Sequence, residues 1–536
     1  MGGWNFADIY AVVAQEIPDS VALIQGSREL RWSELDARST AVAAFLVSAG
    51  LCRQDKVTQY LYNAPEYLES IIAAFKGALV PMNTNFRYGP DELAHLWNNG
   101  DVAAVVFHGA FASTIERMRD RVPRVKAWLW VDDGNSNCPT WATPYESAAR
   151  FAVEKSWRPW DVSGDDILLL YTGGTTGMPK GVMWRQEDLF LRLNTENGTD
   201  YPETPDFAQL RKQISRRGRP HLPAGPLMHG AGLLTCFLTL SRGGSISHLQ
   251  NRRFDPIDLL NTIDRDKVAT VMWVGDAFAR PVLAALDEFP SRWELSSLRA
   301  IISSGVVFSA EVKEGILRHI PSVAIADVFG SSETMSLGRS VTSTDKRNKT
   351  AAFKAKQGTR VIGEDGKDVV PGSGQRGFLA IGGRQPIGYY NDQEKTAAIF
   401  REIDGKRYVV PGDWATIDED GIVTLIGRGS ECINTGGEKV FPEEVEIVLK
   451  SYEGVFDAVV VGVPDLRFGQ AIVAVVEPAK GRQIDTSALI GHVKSSLAAY
   501  KAPKQIILVD EISRGPNGKP DLAMVRQLAN AQASKH

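Results

Sequence analysis

The chain reads as an α/β protein: layered α/β units first, then a β-rich region, then a small C-terminal domain. Three observations predict this. Strand-like apolar runs alternate with helix-like apolar spacing through the early sequence, which indicates parallel α/β layers. The 536 residues are too many for one core and suggest about three or four units. Residues 377–428 read as richer in β structure, and Gly427-Arg428-Gly429-Ser430 then marks a domain boundary.

Taken in order, residues 4–16 have helical apolar spacing that Pro18-Asp19 breaks. Val21 to Ile24 reads as a strand. Leu30 to Leu35 reads as a strand passing into a helix, with Ser33 as its N-cap. Ala41 to Ala49 continues the helix and Gly50 stops it. Lys56 to Leu61, Leu79 to Met82, Asp101 to Phe107 and Ala127 to Val131 are further strands, with a helix over Glu66 to Gly77. Ile167 to Leu170 is a short buried strand, and Val268 to Val274 is another.

Composition is that of an ordinary globular chain: 43% hydrophobic, 23% charged, net charge −4. So small a charge gives no case for a nucleic-acid partner. Cys52, Cys138, Cys236 and Cys432 have neither metal nor disulfide spacing, which fits a reducing cytoplasm. The N-terminus lacks the charged and apolar regions of a signal peptide, and no apolar run reaches the about 20 residues that span a bilayer. Basic residues cluster locally within residues 211–219 and just beyond: Arg211, Lys212, Arg216, Arg217, Arg219 and His221. A solvated loop, a site attracting phosphates, and a peripheral contact with an anionic membrane all remain open for it.

The stretch Tyr171 to Gly181 carries the chemistry. It holds Thr172, Gly173, Gly174, Thr175, Thr176, Gly177, Lys180 and Gly181. Glycines let backbone N–H groups approach phosphate oxygens closely, threonine hydroxyls add donors, and Lys180 adds positive charge. It is not a Walker loop, because Pro179 precedes the lysine and Gly181 follows it. The run resembles the (S/T)-(S/G)-G-(S/T)-T-G-x-P-K-G signature of the adenylate-forming acyl-CoA synthetase superfamily.

Further motifs resemble that superfamily in its own order, from about residue 20 to residue 521. Gly77-Ala78-Leu79-Val80-Pro81-Met82-Asn83 is similar to its G-A…P-x-N crossover, with two residues between the alanine and the proline. Pro226-Leu227-Met228-His229 resembles P-L-F-H, which implies that His229 borders the acyl pocket near the reacting carboxylate. Gly275-Asp276 stands where most members carry Val-Pro. With Met183-Trp184-Arg185, this variant resembles bacterial CoA ligases acting on steroid side chains and related bulky or long acids. A glycine in a pocket wall would leave room for such an acid. Trp273, Gly275, Gly305 and Gly330 are the pocket candidates beside His229.

Ser303 to Val307 resembles S-G-G-A-P, with Val307 in place of the proline. Phe329-Gly330-Ser331-Ser332-Glu333 resembles Y-G-x-T-E: an aromatic face can stack on adenine, and a carboxylate is a hard oxygen ligand for Mg²⁺. The resemblance makes Glu333, with Thr175, the metal candidates. Gly388-Tyr389-Tyr390 with Thr396 looks like a landmark rather than a reactive site. Asp413 resembles the aspartate that accepts both ribose hydroxyls, and Arg428 the arginine that touches the nucleotide. Ser430 falls at the hinge, dividing residues 1–429 from a mobile α+β domain at 430–536. Gly436, Gly437 and Lys439 are CoA-binding candidates, with Asn434 where a lysine is usual. Pro516 to Pro520 resembles P-x-G-K, which makes Lys519 the adenylation lysine.

The resemblance implies a two-step ligase. A carboxylate attacks the α-phosphorus of ATP and expels pyrophosphate; the thiol of coenzyme A then captures the acyl-adenylate and releases AMP. The expected substrate is a bulky or long acid: a steroid side-chain acid, bile acid or fatty acid. An amide synthetase, an arylalkanoate–CoA ligase and an inactive nucleotide-binding regulator of the same fold are the alternatives. A homodimer is compatible with the sequence.

Overall fold

A computed structural model describes residues 2–154, 157–174, 177–214, 218–305, 308–345, 352–356, 358–428, 432–435, 438–465, 469–515 and 518–533. Its described strands form two eight-stranded sheets, one seven-stranded sheet and one five-stranded sheet.

The first large sheet is built on Lys56–Tyr60, which pairs in parallel with Val80–Asn83 on one side and Val102–His108 on the other. Ile167–Gly174 joins it where Leu169 lies beside Met82. All seven residues of Val102–His108 are buried, as expected of a parallel strand covered on both faces. The helix Pro65–Lys76 starts with proline at its first turn and is buried over every residue except the last. It lies between the sheet and the helices Phe6–Glu16 and Trp32–Ser48.

Helix starts follow from local side chains. Asn5 Oδ1 accepts the Asp8 N–H at 2.8 Å and caps Phe6–Glu16. The helix expected to be capped by Ser33 begins at Trp32 instead. There Glu34 reaches back to accept the Arg31 N–H at 2.7 Å, so the acid supplies the cap and Ser33 lies inside the first turn.

Val21–Gln25 does not join the first sheet. It pairs in parallel with Ser245–His248, some two hundred residues away, in the second large sheet. That sheet continues in parallel through Pro220–Pro223, Thr270–Trp273, Ala300–Ser304 and Ala324–Phe329. Residues 352–428 form the mainly antiparallel seven-stranded sheet. The C-terminal sheet centres on the hairpin Val455–Asp465 and Gly469–Pro478. Its alternating residues feed separate cores: Ala458 and Val460 face one cluster, Val459, Val461 and Val463 the other.

Candidate active site

The glycine- and threonine-rich stretch forms a β-hairpin. Ile167–Gly174 and Gly177–Arg185 run antiparallel, with Thr172 opposite Lys180 and Gly174 opposite Gly177. The sequence suggested a loop; ladder pairing carries the glycines as strand residues instead. Thr175 and Thr176 lie outside the described residues. Gly181 has to be small, because a Cβ there would lie 2.7 Å from the Tyr171 ring.

Buried Asn83 ties this hairpin to the His229 turn. Its Nδ2 donates to Tyr171 O at 2.8 Å and to Met228 O at 2.7 Å, while its Oδ1 accepts the Tyr171 N–H at 2.6 Å. Three hydrogen bonds from one amide leave little freedom between two chain segments that both flank the site.

Glu333 sits on a tight turn at the end of Ala324–Phe329. Ser331 N–H donates to Thr334 Oγ1 at 3.1 Å, and Met335 N–H to Ser331 O at 2.7 Å. Trp184 Nε1 holds Ser332 O at 2.9 Å, and Arg192 Nη2 holds Thr334 O at 2.7 Å. Gly330 permits the turn: a Cβ would fall 1.8 Å from Met335 O. The Phe329 ring stacks on Phe353 at 5.9 Å and 24°, which commits one of its faces.

Tyr389 has a larger place than a landmark. Its hydroxyl donates to Glu333 Oε1 at 2.7 Å, and its ring lies 5.4 Å from Lys180 Nζ. It therefore joins a carboxylate to the hairpin's cation. Thr396 Oγ1 accepts the Tyr389 N–H at 2.9 Å, and that fixes the tyrosine.

His229 is the N-cap residue of Gly230–Ser241. Its Nε2 is buried with no hydrogen-bond partner among the described residues. Burial first, and then the nearby Lys519 charge, pull the imidazole down to about 4, so it is neutral at neutral pH. Lys519 itself is exposed. The preceding Gly518, at φ +68°, is seated against the start of the helix Gly275–Glu288. A Cβ there would lie 2.8 Å from Val274 Cγ1 and 3.3 Å from Ala277 Cβ, so only glycine fits this approach. Gly305 flanks the same valine, its own Cβ direction pointing 3.6 Å from Val274 Cγ1.

The Gly275-Asp276 pair serves the helix start. Gly275 is buried at φ +48° and its N–H donates to Ser303 Oγ at 3.1 Å. Asp276 Oδ1 accepts the Ser309 N–H at 2.9 Å, and its Oδ2 accepts Arg280 Nε at 3.2 Å. Its positive φ gives this position a backbone reason to be glycine. Trp273 is buried in the core against Phe308, ring centroids 5.9 Å apart.

Asp413 begins the strand Asp413–Ile417 and pairs in register with Arg428. The Arg428 side chain, Ser430, Gly436 and Gly437 lie outside the described residues, as does the Lys439 side chain on Glu438–Val440. Of the basic segment, Arg211, Lys212, Arg219 and His221 are among the described residues. Arg211 pairs with Glu16 at 2.7 Å. His221 is buried in a strand, with Nε2 2.9 Å from Thr235 Oγ1 and Nδ1 3.1 Å from Thr270 O. Arg216 and Arg217 lie outside the described residues.

A cleft of about 1140 Å³ runs beside this site, lined by Asn63, Pro226, Ala277 and Arg280 on one side and by Phe456 and Arg514 on the other. No cluster of three or more His, Cys, Asp or Glu side chains suited to a metal occurs among the described residues. No described helix is long and apolar enough to cross a membrane.

Residues 10–390 match the family model described as AMP-binding enzyme, and residues 444–519 match the AMP-binding enzyme C-terminal domain. The chain belongs to the AMP-binding enzyme family. Within it, the chain is 38% identical to a medium/long-chain fatty acid–CoA/3-oxocholest-4-en-26-oate–CoA ligase of Mycolicibacterium smegmatis, over 96% of this chain and 95% of that one. It is likewise 38% identical to a 3-oxocholest-4-en-26-oate–CoA ligase of Rhodococcus rhodochrous, over 96% and 94%. Among solved structures, ATP-bound MatB from Rhodopseudomonas palustris superposes with a TM-score of 0.81 at 25% identity, covering 98% of this chain and 99% of that one. The adenylate-forming fold expected from the motifs is therefore the fold observed.

Two residues have contacts that their motifs do not announce. Tyr389 was read as a landmark, although an aromatic hydroxyl following glycine is a visible signal. Asn83 was visible only as part of the crossover motif, and its contacts span 88 and 145 residues.

Proposed function

We propose that this chain joins a carboxylic acid to coenzyme A at the expense of ATP, through an acyl-adenylate, and that the acid is a medium- to long-chain fatty acid or a steroid side-chain acid. The observation that carries the reading is the seating of the Lys519 loop on Val274 and Ala277 beside His229. It brings the last motif of the chain to the one expected to border the acid. The names of the relatives at 38% identity support the acid class and the thiol acceptor.

In the first half-reaction both reactants are anions, so the protein's main task is to place them and cancel charge. Lys180 and Lys519 supply fixed positive charge, with Thr172 and the hairpin backbone as donors to phosphate oxygens. Neutral His229 adds no competing charge, and its unpartnered Nε2 is the polar atom a substrate carboxylate would satisfy. Asp413 takes the ribose hydroxyls, and Phe329, Gly330, Ser331, Ser332, Gly305 and Arg428 border the nucleotide.

Glu333 suits a magnesium ion. Tyr389 occupies one carboxylate oxygen and leaves the other for the cation, and Mg²⁺ is commonly held by one or two carboxylates plus substrate phosphates. When bound, the ion supplies countercharge to the phosphates. For the second half, the C-terminal domain turns about Ser430 and presents the Gly436-Gly437 face, with Lys439, to the incoming thiol. We place the reaction in the cytoplasm, where the thiols of the chain's cysteines would stay reduced.

The test is a panel of fatty, steroid side-chain and arylalkanoic acids, read by AMP release with and without CoA and by pyrophosphate–ATP exchange. Acid-dependent exchange, with AMP release stimulated by CoA, is expected. If no acid supports exchange, the reading is lost; exchange with release stimulated only by amines would make the chain an amide synthetase.

A further inference from the structure

Lys519 lies on a short loop whose base is held by a buried charge cluster in the C-terminal domain. Asp457, on Val455–Asp465, takes Arg514 in a two-pronged pair: Arg514 Nε to Oδ2 at 2.5 Å and Nη2 to Oδ1 at 2.9 Å. Lys450 Nζ adds a third contact to Oδ1 at 3.0 Å. These three side chains are only 10–15% exposed. Burial alone would raise the Asp457 carboxyl, but Lys450 and Arg514 more than offset it and hold it below the ordinary carboxylate range.

The third nitrogen of the guanidinium points the other way. Arg514 Nη1 donates to Gly518 O at 2.6 Å, the carbonyl of the peptide joining Gly518 to Lys519. Gly515 N–H holds Lys519 O at 2.7 Å, and Gly518 N–H holds Gly515 O at 2.8 Å. The peptide on each side of Lys519 is thereby fixed. Gly518 is in the left-handed region at φ +68°, where a glycine has many competing conformations and needs outside support.

We propose that Arg514, anchored by Asp457, is a positioning residue that aims Lys519 during formation of the acyl-adenylate. The proposal rests on the reading of Lys519 given above. Only a planar fork can grip a carboxylate with one edge and a carbonyl with another; a lysine ammonium keeps the ion pair but cannot hold both groups in that geometry. A displacement of about 1 Å at a reacting group costs about a hundredfold in rate, so a small shift of the loop is enough to matter.

Full-length Arg514→Lys and Arg514→Ala, with Lys519→Ala in parallel, test this in three measurements: pyrophosphate–ATP exchange, thioester formation from supplied acyl-adenylate and CoA, and thermal unfolding. For Arg514→Lys, exchange kcat should fall about ten- to a hundredfold with KM for ATP and acid nearly unchanged. Its thioester half-reaction and melting temperature should stay near wild type, and Arg514→Ala should lose more exchange than Arg514→Lys. Wild-type exchange in Arg514→Lys overturns the proposal, as does an equal fall of both half-reactions. If Lys519→Ala loses exchange while Arg514→Lys keeps it, the role of Arg514 fails alone. If Lys519→Ala keeps exchange, the reading of Lys519 fails and this inference goes with it.

Discussion

At the scale of the residue, Lys519 and His229 define each other. Burial first, and then the lysine's charge, hold the imidazole neutral. Lys519→Ala should abolish pyrophosphate–ATP exchange yet leave thioester formation from supplied acyl-adenylate largely intact. Measuring the two halves separately checks it, and equal loss of both would refute the division of labour. The motif that carries Lys519 is local, so it is legible in the sequence whatever the fold. The contacts of Tyr389 are not, because its partners Glu333 and Lys180 are distant in sequence and meet it only through the fold. Asp276 shows the reverse: its departure from the usual family residue was visible, but its use, holding Ser309 and Arg280 at a helix start, was not.

At the scale of the element, the glycine- and threonine-rich hairpin and the His229 turn are one unit through Asn83. Asn83→Asp keeps the shape and the acceptor for Tyr171 N–H, but sets oxygen against the carbonyls of Tyr171 and Met228. The expected cost is about 2–4 kcal/mol, from two lost donors and a buried charge. KM for both ATP and the acid should rise together. Urea unfolding and steady-state kinetics measure these, and unchanged KM values would separate Asn83 from the site. Most strands were legible from apolar runs, which is natural where a parallel strand such as Val102–His108 is buried throughout. Partnership was not. Nothing local says that Val21–Gln25 pairs with Ser245–His248, and the pairing of Thr172 with Lys180 and of Gly174 with Gly177 is hidden because glycine and proline rarely populate ladders.

At the scale of the whole molecule, acid sensitivity should be traceable to buried histidines. His248 is fully buried with neither ring nitrogen bonded, and burial, then Arg28 and His221, depress it to about 3. Above pH about 6.5 both folded and unfolded forms are neutral and nothing changes. Below that value the unfolded chain takes up a proton that the folded chain refuses, so stability falls as pH falls toward about 3. His248→Leu should remove about 1.4 kcal/mol per pH unit of that slope and become more stable than wild type on acidification. Denaturant midpoints at pH 7.5, 5.5 and 4.5 would show it, and parallel curves would contradict it. Ser430→Pro, at the junction of the two parts of the chain, should slow thioester formation more than adenylation by stiffening φ. Equal slowing would count against Ser430 as the pivot.

A single methyl group, Cγ1 of Val274, is approached by Gly305 from one side and by Gly518 from the other. If the neighbouring Gly305 borders the acid, as proposed, the surface beside the acid is also the one on which Gly518 rests. On that proposal, trimming the valine to admit a broader acid would also remove the methyl group that Gly518 rests on, and enlarging it would crowd Gly518. Selectivity and turnover cannot be tuned separately at this point, so changes of acid preference that spare the closing step have to be made deeper in the cleft.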